Sequence, residues 1–317
     1  MEKVEFFERF FEVENRVAFS PDSFVTIENF SRLIGEYNFV EKVVCQVEKN
    51  GGKCGHLHNK GWLGITNSGH EVLIGHICAN KYFKADKSFS IEKKRIRNEI
   101  DFQRYKKFID ECVLKQSEIE HEMNVAHDML KDVRRLKSNI QSILPDMVVN
   151  FILNAEKTKN RSVYIDIKYI EVDENKKEII SWVKKEIGKV KSASFFMFKE
   201  INDYYSGIND VRLVFSQIKN SNEYKLRQLK SWSEKLGSRG DIISGIENIS
   251  MECSKFIGLD NLNLLLFMTS DKNDRSKILD LINNFHNGCA TNAQQYIEYQ
   301  ELIIKQTIDG RDFRISR

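Results

Sequence analysis

The sequence predicts a mainly α-helical fold that carries a small zinc-stabilised module of β-hairpin and short helix near its start. Three observations lead there. Only two prolines, Pro21 and Pro145, interrupt 317 residues, 30% of them charged, and proline is the residue a helix interior tolerates least. An uninterrupted heptad pattern runs through the middle of the chain. Three of the six cysteines and four of the seven histidines fall between Cys45 and Cys78.

Residues 1–40 read as helical around "VEFFERFFEVEN" and "SFVTIENFSRLIGEY". A turn at "FSPDSF" separates the two, with Asp22 or Ser23 as cap. Residues 41–87 read as a compact β-rich module. In it "GWLGIT" and "HEVLIG" flank "NSG", a hairpin signal with Gly69 at the left-handed position. "ICANKYF" then opens a short helix.

Residues 88–144 carry the heptads. Steps of three and four from Ile109 pass through Cys112, Gln116, Ile119, Met123, Ala126, Leu130, Val133, Lys137, Ile140 and Leu144, most of them apolar. As a single coiled-coil-type helix this stretch would be roughly 80 Å long. Its stripe demands either another helix of the chain or a second copy, and Gln116 and Lys137 would fix the register at some cost in stability. Residues 145–317 read as a helical region with at least one strand, "RSVYIDIKYIEV", whose apolar residues alternate. "KEIISWVKKEIGKV" returns to helical spacing. The helices break at "GSRGD" and resume to the end, where the polar tail "DGRDFRISR" is expected to fray.

A module of some 45 residues is too small for a self-sufficient core, and a bound divalent ion supplies the missing stability. Structural zinc takes four thiolate or imidazole ligands in a tetrahedron. Cys45, Cys54 and Cys78 are the candidates, since thiolates suit zinc best. The glycines between the first two permit a reversal, and Cys78 falls at a helix start where N–H groups favour an anionic sulfur. His58, four residues after Cys54, is the candidate fourth ligand, with His76 as the alternate. The order of knuckle, hairpin and helix over about residues 42–84 resembles a treble-clef zinc finger. Such a knuckle carries Cys-x-x-Cys, whereas eight residues separate Cys45 from Cys54 here.

"HICANKYFK" is also similar, at Asn80 and Lys81, to the ending of His-Asn-His nucleases. That family's second cysteine pair and its Asp-His pair are missing. Glu48 and Glu71, the nearest acids, read as solvated, so no catalytic residue is expected. Phosphate-loop, dinucleotide and nucleophile-elbow motifs are absent. The net charge is only +3, so a nucleic-acid surface has to be local. Between residues 81 and 107 basic side chains outnumber acidic ones, and Lys81, Lys84, Lys93, Lys94, Arg95 and Arg97, with Tyr82 for stacking, are the candidates.

No apolar run reaches transmembrane length. The acidic start lacks a secretory pattern, so a cytoplasmic protein with reduced thiols is expected. These readings combine into a non-enzymatic, zinc-binding, coiled-coil-containing scaffold. It would act through a protein partner or self-association along the heptad helix, without a small-molecule cofactor. A DNA- or RNA-binding protein is the alternative, and a metal-dependent nuclease the second alternative.

Overall fold

A computed structural model describes residues 4–174, 177–192, 194–196 and 198–316. It is 56% helical. The chain divides into two compact units, residues 1–114 with 220–234, and residues 115–219 with 235–317.

The first unit is built on a four-stranded sheet in the order β1 (Glu5–Phe7), β2 (Phe30–Val44), β5 (Leu57–Thr66) and β6 (Glu71–Gly75). β1 runs parallel to β2, and the other pairings are antiparallel. Two expected helices are therefore corrected. "VEFFERFFEVEN" keeps one helical turn, α1 (Phe11–Glu14), behind a strand, and most of "SFVTIENFSRLIGEY" lies in β2. The physical reason lies in the pairing of β2 with β5. Its register shifts between Phe30 and Arg32 and again between Leu33 and Gly35. Each bulge adds a residue and breaks strict alternation. The buried positions Phe30, Leu33, Ile34 and Tyr37 thereby acquire the three-and-four spacing of a helix.

Between β2 and β5 lies a miniature hairpin, β3 (Glu48–Lys49) and β4 (Gly52–Lys53). Asn50 and Gly51 form its turn, with φ of 55° and 82°. Two consecutive positive φ values define the turn that matches strand twist, and Asn-Gly is its favoured sequence. β6 passes into α2 (His76–Tyr82), and α3 (Lys87–Leu114) packs on β2. Arg95 donates to the Leu33 carbonyl at 2.6 Å, and Glu92 accepts from the Leu33 N–H at 3.1 Å. The two side chains also bond each other at 2.7 Å.

The heptad stretch is two helices of 28 residues each, α3 and α4 (Gln116–Ile143), with Lys115 between them. At 1.5 Å per residue each spans about 42 Å, which replaces the single rod of roughly 80 Å. Residues up to 114 fall in one unit and those from 115 in the other, and Lys115, with φ −102° and ψ 16°, departs from helical geometry. On α4 the stripe Ile119, Met123, Ala126, Leu130, Val133 and Ile140 is buried. It packs against α6 (Phe198–Lys219), α8 (Arg239–Phe256) and α10 (Lys272–Phe285). The seam is thus covered by helices of its own chain. Lys137, buried within the stripe, donates to the Phe196 carbonyl at 2.6 Å.

The rest of the second unit comprises α5 (Asp146–Thr158), α9 (Leu259–Leu265), α11 (Ala293–Thr307) and a three-stranded sheet. The sheet order is β8 (Glu178–Lys189), β7 (Ser162–Val172), β9 (Phe313–Ile315). β7 is the strand expected from its alternation. β8 corrects the helix expected at "KEIISWVKKEIGKV". Its Ile180–Val183–Ile187 spacing suits a helix, but long-range pairing along β7, residue by residue from Glu178↔Val172, wins. The tail is ordered rather than frayed. Asp309 and Gly310 turn it with positive φ, and β9 pairs with β7. Arg314 and Ser316 hold the carboxylate of Asp166, on the half-buried face of β7 opposite Ile165 and Ile167. A further helix, α7 (Leu226–Gly237), links to α8 through Ser238, so "GSRGD" is mostly the first turn of α8. Among the described residues, no helix is long and apolar enough to cross a membrane.

Candidate metal centre

The miniature hairpin explains how cysteines nine positions apart meet. It returns Cys54 beside Cys45: the Cys54 N–H donates to the Val47 carbonyl at 2.8 Å, and the Cys45 N–H to the His56 carbonyl at 3.0 Å. Cys78 arrives from the other side, in the first turn of α2, because β6 runs antiparallel to β5 and ends at Gly75. The three sulfurs lie within 4.8 Å of one another, with Cys54 Sγ 3.5 Å from Cys78 Sγ. Four ligands at about 2.3 Å from a tetrahedral zinc stand about 3.8 Å apart, so this spacing suits one shared ion. Cys45 and Cys78 are buried among Val47, Trp62, Ala79, Phe83 and Phe89, with Cys54 packed at the edge. The cluster can hold a metal ion.

The electrostatics are those of a crowded, dry sulfur site. Burial raises the Cys45 thiol, opposed by the N–H groups of Val47 and Gly75. Burial and the neighbouring sulfurs push Cys78 up to about 12. Cys54 is the most accessible of the three. Burial raises it, but the His56 N–H and the other two sulfurs outweigh that, and its net shift is downward. Removing thiol protons here needs a compensating positive charge, which a divalent cation supplies.

His58 does not join the three sulfurs within the same 4.8 Å. Its ring stacks on Tyr37, its Nδ1 lies 3.3 Å from the Tyr37 hydroxyl, and its Nε2 is buried without a hydrogen-bond partner. A Cβ on Gly75 would sit 2.8 Å from that Nε2, so only glycine leaves room for the ring. Burial, then the His56 charge, lowers His58 to about 4 from the ordinary 6.5. The unfolded chain therefore takes up the proton first. Acidification is expected to cost no stability above pH 6.5, to destabilise progressively from 6.5 to 4, and to level off below. His58→Gln should remove that part of the slope from urea midpoints measured across the range, and lower the midpoint throughout where the ring holds metal. Metal on the ring would steepen it, since protons compete for the same lone pair. The alternate, His76, is exposed; it stacks on Trp62 and meets Asn80 at 3.1 Å. His56 and His70 are exposed.

The basic candidates divide. Lys81, Lys84 and Lys94 are exposed. Lys93 sits 4.6 Å from the Trp62 ring centre and bonds Asn80, Arg97 reaches Glu36 at 3.9 Å, and Arg95 is held by Glu92 and Leu33. Tyr82 lies half-buried under the Lys81 ammonium, packed against the sulfur-bearing core.

Two polar residues that matter here gave little sign of it in the sequence. Gln46, 2% exposed, donates to the carbonyls of Ser20 and Ser23 at 2.7 and 2.8 Å and accepts from the Leu73 N–H at 2.8 Å. Glu71, expected to be solvated, is buried and takes a two-point ion pair from Arg16 at 2.7 and 3.0 Å. The side-chain partners of Gln46 lie 23 or more positions away, and Glu71 and Arg16 lie 55 apart, beyond any local sequence pattern.

Comparison with protein-family models, with curated proteins and with solved structures finds no match to this chain.

Proposed function

We propose that Cys45, Cys54 and Cys78 bind a structural zinc ion with His58 as the fourth ligand, and that the protein is a non-enzymatic scaffold whose first unit this ion stabilises. The observation that carries the reading is the convergence of three sulfurs inside an apolar core, with a buried imidazole nitrogen, lacking a partner, on the far side of Gly75. Gly75 connects the two: its N–H faces Cys45 and its bare Cα faces His58. Closed four-ligand sites stabilise structure, whereas catalytic zinc keeps an open position and a nearby base. The two nearby acids are otherwise engaged, Glu71 by Arg16 and Glu48 by the Gly51 N–H at 2.5 Å. The scaffold reading is preferred to nucleic-acid binding because Lys93, Arg95 and Arg97 are held by their own unit.

Elemental analysis of the purified full-length chain, with its absorbance ratio at 260 and 280 nm, tests both parts. One zinc per chain and a protein-only spectrum are expected. Absence of metal would overturn the zinc centre, and co-purified nucleic acid would overturn the scaffold reading in favour of nucleic-acid binding.

A further inference from the structure

The second unit presents an edge that two copies of this chain can share. Among the described residues β8 pairs only with β7, so its other side offers N–H and C=O groups that no described strand takes up. Natural sheets usually shield such an edge with charge, proline or a cover, because it templates pairing with another chain. Here the stretch from Ile179 to Val183 is uncharged and open, with charge only at its two ends. Every residue from 178 to 186 is exposed, including Ile179 at 51%, Ile180 at 50%, Trp182 at 38% and Val183 at 49%.

We infer that β8 pairs antiparallel with β8 of a second copy, across a two-fold axis at Ser181. A two-fold perpendicular to a sheet keeps each side chain on its own face, so an even-numbered residue must meet an even-numbered one, and an odd an odd. Centring the axis on Ser181 sets Glu178 against Lys184 of the second copy and Ile180 against Trp182 on one face. It sets Ile179 against Val183 on the other. Between residues 178 and 184, opposite charges or apolar pairs then meet at every position outside the central serines. Centring on Ile180 sets Glu178 against Trp182, and centring on Trp182 sets Glu178 against Glu186 and Ile180 against Lys184. Only the Ser181 register among these three satisfies both charge and hydrophobicity.

Among the described residues, neither Glu178 nor Lys184 comes within salt-bridge distance of an opposite charge. The Lys184 ammonium lies 4.7 Å from the Tyr164 ring and, from its place opposite Asp166 on β7, adds to the Ser316 hydroxyl and Arg314 in holding that carboxyl below its usual range. Lys185, which falls beyond the paired set, is drawn instead to the Thr307 carbonyl of its own chain at 3.3 Å. The inference does not depend on the zinc centre, because β8 belongs to the other unit.

Sedimentation of the full-length chain at micromolar to ~100 µM concentration tests it. A reversible dimer is expected. Glu178→Lys should weaken it by about tenfold, since it places like charges opposite at both symmetric pairs. Glu178→Lys with Lys184→Glu should recover most of the loss. Ser181→Cys, in a Cys289→Ser background that removes the exposed thiol, should form a disulfide-linked dimer on mild oxidation, as directly opposed residues lie within disulfide reach. A chain that stays monomeric and uncrosslinked throughout would overturn the proposal. So would a dimer indifferent to the charge changes.

Discussion

Serine in place of Cys45 is expected to leave the chain without zinc and its first unit without a stable fold. Structural zinc contributes roughly 10–16 kcal/mol of apparent binding energy in small zinc-dependent folds, while a whole domain is stable by only about 5–15 kcal/mol. If the proposed four-ligand site holds zinc, removing Cys45, itself 0% exposed, therefore amounts to unfolding. The check is amide hydrogen exchange across residues 45–78 alongside metal content. Protection should collapse in Cys45→Ser and in the chelated parent alike. Protection that survives both treatments would show that Val47, Trp62, Phe83 and Phe89 suffice to hold the unit without an ion.

Arg16→Ala is the second large effect, expected to destabilise the same unit by about 3 kcal/mol. Glu71 is 6% exposed at its side chain against 33% for Arg16, so the change strands a carboxylate in the interior. The figure is taken at the low end of the range for broken buried pairs because water still reaches Arg16. Urea denaturation followed by tryptophan fluorescence should show the midpoint falling by about 1 M or more. Replacing both partners, Arg16→Met with Glu71→Leu, should recover most of the loss, since an apolar pair carries no uncompensated charge.

Legibility in the sequence followed the range of the interactions. The sulfur cluster could be read because soft ligands are rare and chemically constrained, and the β5–β6 hairpin because Gly69 marks its turn with φ 86°. The α4 stripe could be read because its period is local, although nothing local revealed that α6, α8 and α10 would cover it. β2 was hidden by its own bulges, which turned a two-residue period into a helical one. β8 was hidden because its partner, β7, lies across a hairpin and outweighs its intrinsic spacing. The break at Lys115 has no glycine or proline to announce it and falls where the two units divide. Arg16–Glu71 spans 55 positions, beyond the reach of any short-range pattern.

Gln46 binds three stretches of chain through one residue: 20–25 through its amide and its own carbonyl, β6 through Leu73, and the knuckle through its neighbour Cys45. No one of these stretches can peel away without exposing the polar groups of the other two. The first unit should therefore melt in a single step, with few partly open forms for a protease to catch.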